Sequence, residues 1–280
     1  MDKKQLRAGV IGCGAISDIY LKNMKNKFDN LEVVSCAARH LESAQKKAQQ
    51  YGIKGCTVDE LLADESIDMA VILTPAPTHY ELIKKALEAG KHVYTEKTIT
   101  ITPETAKELL ELADAKGLYL GSAPDTFLGA SWQTARKLID EGILGEVTSF
   151  QISANRDLDL LTSMFGFLRM PGGGICYDYG VYYLTALVSL LGPAARVSAI
   201  VKNPKPVRVN IMPQSPEYGK EFSYPNESQV AAVLELESGV TGNFALNGDS
   251  ENADQAQFRI YGTKGILKLT DPNQFGGKNM

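Results

Sequence analysis

The segment Val10-Ile11-Gly12-Cys13-Gly14-Ala15-Ile16-Ser17 constrains this chain more than any other. It follows an apolar run, Leu6–Ile11, that reads as a strand, and it opens an amphipathic stretch, Ser17–Asn26, that reads as a helix. A strand that turns directly into a helix commits the chain to βαβ units and a parallel sheet. In the pattern G-x-G-x-x-S, Gly12 permits the tight turn and Gly14 lets the backbone approach a pyrophosphate. Ser17 stands where such loops usually have a third Gly or Ala and is small enough for close helix packing. Ala15 and Ile16 lead into a helix N-terminus whose N–H groups and dipole favour an anion.

The next hundred residues keep this alternation. Further strands are expected at Leu31–Ala37, Met69–Leu73, His92–Thr95 and Leu118–Gly121, and further helices at Leu41–Tyr51, Thr78–Ala89 and Pro103–Lys116. Gly52, Gly90 and Gly117 fall where a helix needs a left-handed stop, and Thr102-Pro103-Glu104 is a cap, first-turn proline and first-turn acid. After Gly121 the pattern changes. One helix (Ser131–Glu141) precedes strands at Val147–Ala154, Arg196–Lys202, Gln229–Glu237, Val240–Leu246, Gln257–Tyr261 and Ile266–Leu269, with turns at Glu237-Ser238-Gly239 and Gly262–Gly265. The Pro-rich, polar stretch Asn203–Asn226 reads as a surface excursion. The fold expected over 280 residues is therefore α/β in two domains: residues 1–121, a parallel dinucleotide-binding sheet, and residues 122–280, an α/β domain with a largely antiparallel sheet.

An NAD site of this type places Asp or Glu on the ribose hydroxyl about twenty residues past the glycines. The second strand instead ends Cys36-Ala37-Ala38-Arg39-His40, with no acid in reach. Arg39, assisted by His40, can fork onto a 2′-phosphate, which favours NADP over NAD; the alternative is a solvated arginine opening the next loop. Lys and Arg number 29 against 33 Asp and Glu, and neither half is polycationic, so no nucleic-acid or membrane partner is expected. Cys13, Cys36, Cys56 and Cys176 lack metal-ligand spacing and a nearby histidine, so they read as reduced core thiols, with no metal site and no disulfide framework. The charged N-terminus runs straight into a strand, and a cytoplasmic location is expected.

Thr74-Pro75, His79, Ala86–Val93 and Glu96-Lys97, with Lys137–Val147 and Gly172–Tyr182, resemble the Gfo/Idh/MocA family of oxidoreductases across essentially the whole chain. The resemblance implies a Rossmann domain followed by an α/β domain whose open sheet carries substrate residues and often an oligomer interface, hence a homodimer or homotetramer. It also implies that Thr74, Pro75, Glu96 and Lys97 border the cofactor. The family's E-K-P is Glu96-Lys97-Thr98 here, which lifts the restriction a proline places on the residue before it. Its D-x-G-x-H reads Asp178-Tyr179-Gly180-Val181-Tyr182. Family members also run several dozen residues beyond Gly276-Gly277, so the resemblance leads to the expectation of a second domain shorter at its end than usual.

The three histidines, His40, His79 and His92, all lie in the first half, so a histidine acid/base is impossible in the second. Tyr182 occupies its position, as in the dihydrodiol dehydrogenase and glucose–fructose oxidoreductase branches of the family. A phenol titrates near pH 10, too high for a base at neutral pH, so a neighbouring cation is required; Lys97 is the candidate and would also polarise a substrate carbonyl. Tyr182 otherwise reads as a core aromatic beside Tyr177, Tyr179 and Tyr183. Asp178 orients Lys97, binds substrate hydroxyls or caps the helix after the glycine run. Asp125 and Arg156 follow strands and are candidates for polar substrate groups, while His79 is read as opening or packing a helix. The activity implied is hydride transfer between NADP or NAD and a sugar, polyol or cyclic diol. Redox-assisted glycoside cleavage with a recycled cofactor, and a nucleotide-binding sensor without turnover, are the alternatives.

Overall fold

The computed structural model describes residues 5–251 and 256–274 and divides into two compact units, Met1–Ala123 and Pro124–Met280. The first unit runs β1 (Leu6–Ile11), α1 (Ser17–Lys27), β2 (Leu31–Ala37), α2 (Leu41–Tyr51), β3 (Lys54–Cys56), α3 (Val58–Ala63), β4 (Met69–Ile72), α4 (His79–Glu88), β5 (His92–Thr95), α5 (Pro103–Lys116) and β6 (Leu120–Ser122). All six strands are parallel, in the order β3-β2-β1-β4-β5-β6. The order reverses between β1 and β4, and that switch point is where sheets of this kind open a ligand crevice. Two apolar clusters, one containing Ile72, Ile83 and Leu109 and the other Val10, Leu21 and Met24, bury the strands under helices. Gly52 and Gly117 stop α2 and α5 with φ of 62° and 66°. The β3–α3 pair, unforeseen in the sequence, supplies the sheet's first edge, and the last strand begins two residues later than expected.

The second unit runs α6 (Ala130–Asp140), β7 (Val147–Asn155), α7 (Leu158–Met164), a π-helical stretch (Ile175–Gly180) continuing into α8 (Val181–Leu191), then β8 (Ala194–Lys202), β9 (Val207–Val209), β10 (Glu221–Ser223), β11 (Gln229–Leu236), β12 (Thr241–Asn247), β13 (Gln257–Gly262) and β14 (Ile266–Leu269). Its six-stranded sheet has the order β14-β13-β7-β12-β11-β8, antiparallel except where β12 lies parallel to β7. Alternate residues, among them Phe150, Ile152, Phe244 and Ile260, form one core with Trp132 of α6 and Tyr183 and Leu187 of α8.

The stretch 203–226 is largely exposed, as a surface excursion should be, but it is not irregular. It holds the β9–β10 hairpin and is anchored by Arg208, whose side chain is fully buried and pairs with Asp159 at 2.8 Å and Asp249 at 2.6 Å. Gly276-Gly277 lies outside the described residues. Among the described residues no helix is long and apolar enough to cross a membrane, and no group of three or more His, Cys, Asp or Glu could hold a metal ion.

Candidate active site

In the first unit the residues expected to touch a dinucleotide gather at the C-terminal edge of the sheet. Gly12–Ile16 follow β1, Ala38–His40 follow β2, Thr74-Pro75 follow β4, and Glu96-Lys97 follow β5. Gly12 has φ of 113°, and a Cβ there would stand 2.8 Å from the Leu73 carbonyl carbon, so only glycine fits. Gly14 is different. A Cβ at Gly14 would meet nothing within 4 Å, so packing within the protein does not demand glycine; open space at this position is what an approaching pyrophosphate uses. Ser17 is buried and donates its hydroxyl to the Gly14 carbonyl at 2.6 Å, closing the loop on itself. No side chain caps α1; the Ser17 N–H donates to the Gly14 carbonyl at 3.1 Å, and the positive end of the helix faces the loop where an anion would lie. These features fit a dinucleotide. Arg39 and His40 are exposed beyond the end of β2, open to a 2′-phosphate.

Lys97 is held through its backbone. The Tyr20 hydroxyl on α1 donates to Glu96 Oε1 at 2.7 Å, and Glu96 Oε2 accepts the Lys97 N–H at 3.0 Å. On the other side, the ring nitrogens of the fully buried His79, the first residue of α4, lie 2.7 Å from the Thr74 and Thr98 carbonyl oxygens. The peptide between Lys97 and Thr98 is cis. The sequence reading places His79 at a helix start, as observed, but misses that it joins the loops after β4 and β5; Tyr20 went unnoticed because it reads as part of an apolar helix face.

In the second unit the glycine run has a distinct reason at each position. Gly172 has φ of 84°, a Cβ at Gly173 would collide with the Leu168 carbonyl, and one at Gly174 would collide with the Glu227 carboxylate. That carboxylate corrects one reading of Asp178. The helix cap is Glu227, whose Oε1 accepts the Cys176 and Tyr177 N–H groups at 3.0 and 3.4 Å and whose carbonyl accepts the Ile175 N–H. Asp178 is half-buried inside the helical stretch. Tyr182 stands four residues on, half-buried at the margin of the core.

The neighbouring tyrosines have other duties. The Tyr179 and Tyr183 hydroxyls lie 2.8 Å apart and 2.9 and 3.0 Å from the Asp271 carboxylate oxygens, so their two protons serve two of these three contacts at a time. Burial pushes the Tyr179 phenol up to about 12 and the Tyr183 phenol higher still, so both remain neutral donors. Arg156 lies over the Tyr179 ring, its guanidinium carbon 4.5 Å from the centroid, which brings this candidate beside the helix of Asp178 and Tyr182. Asp125 heads the short turn Thr126–Leu128, whose Phe127 packs against the same core. Glu227 and Asp271 were missed in the sequence; each acts across a separation of fifty residues or more.

A doubly wound parallel sheet with a glycine loop at its switch point, followed by a helix-backed mixed sheet, defines a two-unit dinucleotide-binding protein. The known proteins narrow this. Residues 6–123 match the family described as "Oxidoreductase family, NAD-binding Rossmann fold" and residues 132–268 match the "GFO/IDH/MocA C-terminal domain". The chain belongs to the Gfo/Idh/MocA family of oxidoreductases. It is 34% identical over 202 residues to uncharacterized oxidoreductase C115.03 of Schizosaccharomyces pombe, covering 69% of this chain and 54% of that protein. It is 24% identical over 270 residues to the trans-1,2-dihydrobenzene-1,2-diol dehydrogenase of Macaca fuscata fuscata, covering 95% of this chain and 75% of that one. The fold matches that of a levoglucosan dehydrogenase solved with NADH and L-sorbose, with a TM-score of 0.83 at 22% identity over 94% of this chain and 73% of that one. The chain thus spans little more than half the length of C115.03.

Proposed function

We propose that this protein is an NADP-preferring oxidoreductase that interconverts a secondary alcohol and a ketone or lactone on a sugar, polyol or cyclic diol. In this reading unit 1 holds the dinucleotide and unit 2 supplies substrate contacts. The observation that carries it is the joint placement of the open Gly14 loop and the backbone-anchored Lys97 at one sheet edge. The diol and sugar dehydrogenases among its relatives support the substrate class.

The bound nicotinamide supplies or accepts the hydride. Everything else falls to the chain's own side chains. The Lys97 ammonium stabilises the negative charge that develops on the substrate oxygen. The Tyr182 phenol passes the proton, and no histidine in residues 124–280 competes for the role. Asp178 and Arg156 orient the remaining hydroxyls. Arg39 grips the 2′-phosphate.

A panel of sugars, polyols and cyclic diols with NADP and NAD tests the reading. Net NADPH formation is expected with at least one alcohol; tight cofactor binding with no turnover would turn it into a sensor, and cleavage without net NADPH into a glycoside lyase. Tyr182→Phe should leave cofactor affinity intact and lower kcat by roughly 10²–10⁴-fold, and Lys97→Met at least as much, with the two effects strongly non-additive. Near-normal turnover in both variants would move the chemistry elsewhere. Arg39→Ala should weaken NADPH by about 1.5–3 kcal/mol while sparing NADH; equal losses for both cofactors in fluorescence titration would remove the case for NADP.

A further inference from the structure

Three thiols stand in a row at the C-terminal ends of three adjacent strands, beneath the nucleotide loop. Cys13 lies two residues beyond β1, Cys36 is the second-last residue of β2 and Cys56 the last of β3. The strand register aligns Val10 with Cys36 and Ala37 with Cys56. The Cys13 thiol reaches the Ala37 carbonyl at 3.6 Å, one peptide from Cys36, and packs against the apolar cluster that contains Cys36; Cys56 Sγ reaches the Cys36 carbonyl at 3.7 Å. The expectation of four core thiols therefore needs correcting at Cys13 and at Cys176, both only half-buried; Cys13 is the one in the nucleotide loop. It is half-buried between Gly12 and Gly14, while Cys36 and Cys56 are buried.

We propose that Cys13 is an oxidation site within the nucleotide loop and that Cys36 resolves it to a disulfide, so that peroxide-class oxidants close the loop to dinucleotide and bound dinucleotide shields it. The proposal rests on the dinucleotide reading of this loop. Cys13 meets solvent first and precedes α1 by four residues, near the positive end of the helix. The neighbouring Cys36 thiol, which itself donates to the Ala44 carbonyl at 3.4 Å, holds Cys13 below the ordinary thiol range against the opposing effect of burial, with help from Lys47. The same neighbour, together with burial, pushes Cys36 well above that range, so Cys13 is the readier of the two sulfurs to ionise.

The chemistry balances in two steps. The Cys13 thiolate attacks hydrogen peroxide; an S–O bond forms, the O–O bond breaks, sulfur is oxidised to sulfenic acid and hydroxide leaves. Cys36 then displaces the sulfenic oxygen; the S–S bond forms, the S–O bond breaks and the oxygen departs as water with the Cys36 proton. Once Cys13 is a neutral sulfenic acid, its negative charge no longer opposes ionisation of Cys36. Two thiols and one peroxide thus give one disulfide and two waters. The disulfide ties the residue between the two fingerprint glycines to β2.

The test uses the full chain, reduced and desalted, then exposed to hydrogen peroxide with and without NADPH. Intact mass should fall by two hydrogens, and peptide mapping should find Cys13 joined to Cys36. NADPH affinity should drop by roughly tenfold or more and return with dithiothreitol, and NADPH present during exposure should slow the reaction. Cys36→Ser should bind NADPH normally when reduced and accumulate a dimedone-reactive Cys13. An unmodified Cys13, a Cys36–Cys56 link in its place, or an oxidised protein with unchanged NADPH affinity would overturn the proposal. Failure of the reduced wild type to bind NADPH would instead overturn the dinucleotide reading itself.

Discussion

The two units bury their sheets by different means. In the first, helices lie on both faces of six parallel strands, and the strands read as continuous apolar runs. In the second, α6 and α8 cover one face only. Ile200 and Val233 on the other face are 63% and 60% exposed, and the edge strand β8 is exposed along its whole length. The first unit is complete in itself. The second leaves an apolar sheet face and an unpaired strand edge in water, an arrangement proteins usually cover. The site residues follow the same division: Lys97 is fixed by short contacts among strand ends, whereas Asp178 and Tyr182 depend on a helix capped from a distant loop.

If the second unit depends on long-range anchors, cutting one should damage it and spare the first. Arg208 is the strongest test. It is buried between Asp159 and Asp249 and lies 4.6 Å from the Tyr224 ring centroid, so Arg208→Met leaves Asp249 without its counter-charge and Asp159 with Lys205 alone. The expected cost is about 3–5 kcal/mol. Hydrogen exchange should show protection lost in α7, β9, β10 and β11 with β1–β6 unchanged; an equal loss in β1–β6 would erase the contrast. The same cluster sets an acid limit. Burial alone would raise the Asp159 carboxyl, but hydrogen bonds from Lys205 and Arg208 outweigh it and hold the group below its ordinary range. A folded value below the unfolded one means stability is fully present above about pH 4 and is lost as pH falls through the folded value. Second-unit melting should therefore become pH-dependent only in acid, and Arg208→Met should flatten that dependence.

The open face gives the next test. We propose that a second copy of the chain covers it, making a homodimer or a dimer of dimers. Val233→Asp places a charge on the exposed face, beside the edge strand, and should weaken association by roughly tenfold or more without lowering the melting temperature of the monomer. Light scattering that gives a monomer for the wild type at micromolar concentration would show that the exposed face needs no cover.

The contrast also explains what the sequence could reveal. Strand-to-helix turns, glycine stops and the Thr102 cap are local, so the first unit was legible almost element by element; Lys54–Cys56 escaped because three residues carry no period. In the second unit the alternating strands were legible, but the composition of 203–226 concealed Arg208, flanked by Val207 and Val209 as a strand residue would be. Its partners Asp159 and Asp249 lie more than forty residues away. The site divides similarly. Gly12, Gly14 and Lys97 announce themselves by motif, whereas Glu227, Asp271 and Tyr20 matter only through residues that the fold brings to them.

Tyr20 supplies the finest test, because it lies in the legible unit yet acts at long range. Its ring sits 6.3 Å from that of Tyr94, and its hydroxyl touches Glu96, whose other oxygen holds the Lys97 backbone. Tyr20→Phe keeps the ring and removes only the hydroxyl. Glu96 is partly open to water and can recover part of the lost bond from solvent, so the stability cost should be about 0.5–1.5 kcal/mol. If the contact serves to aim Lys97, kcat should fall several-fold with the Kd for NADPH and the substrate KM nearly unchanged, as expected when an interaction made only in the transition state is weakened. A rise in KM or Kd at constant kcat would make Tyr20 a binding or packing residue. In that case the aim of Lys97 would not depend on the hydroxyl contact that α1 makes with Glu96.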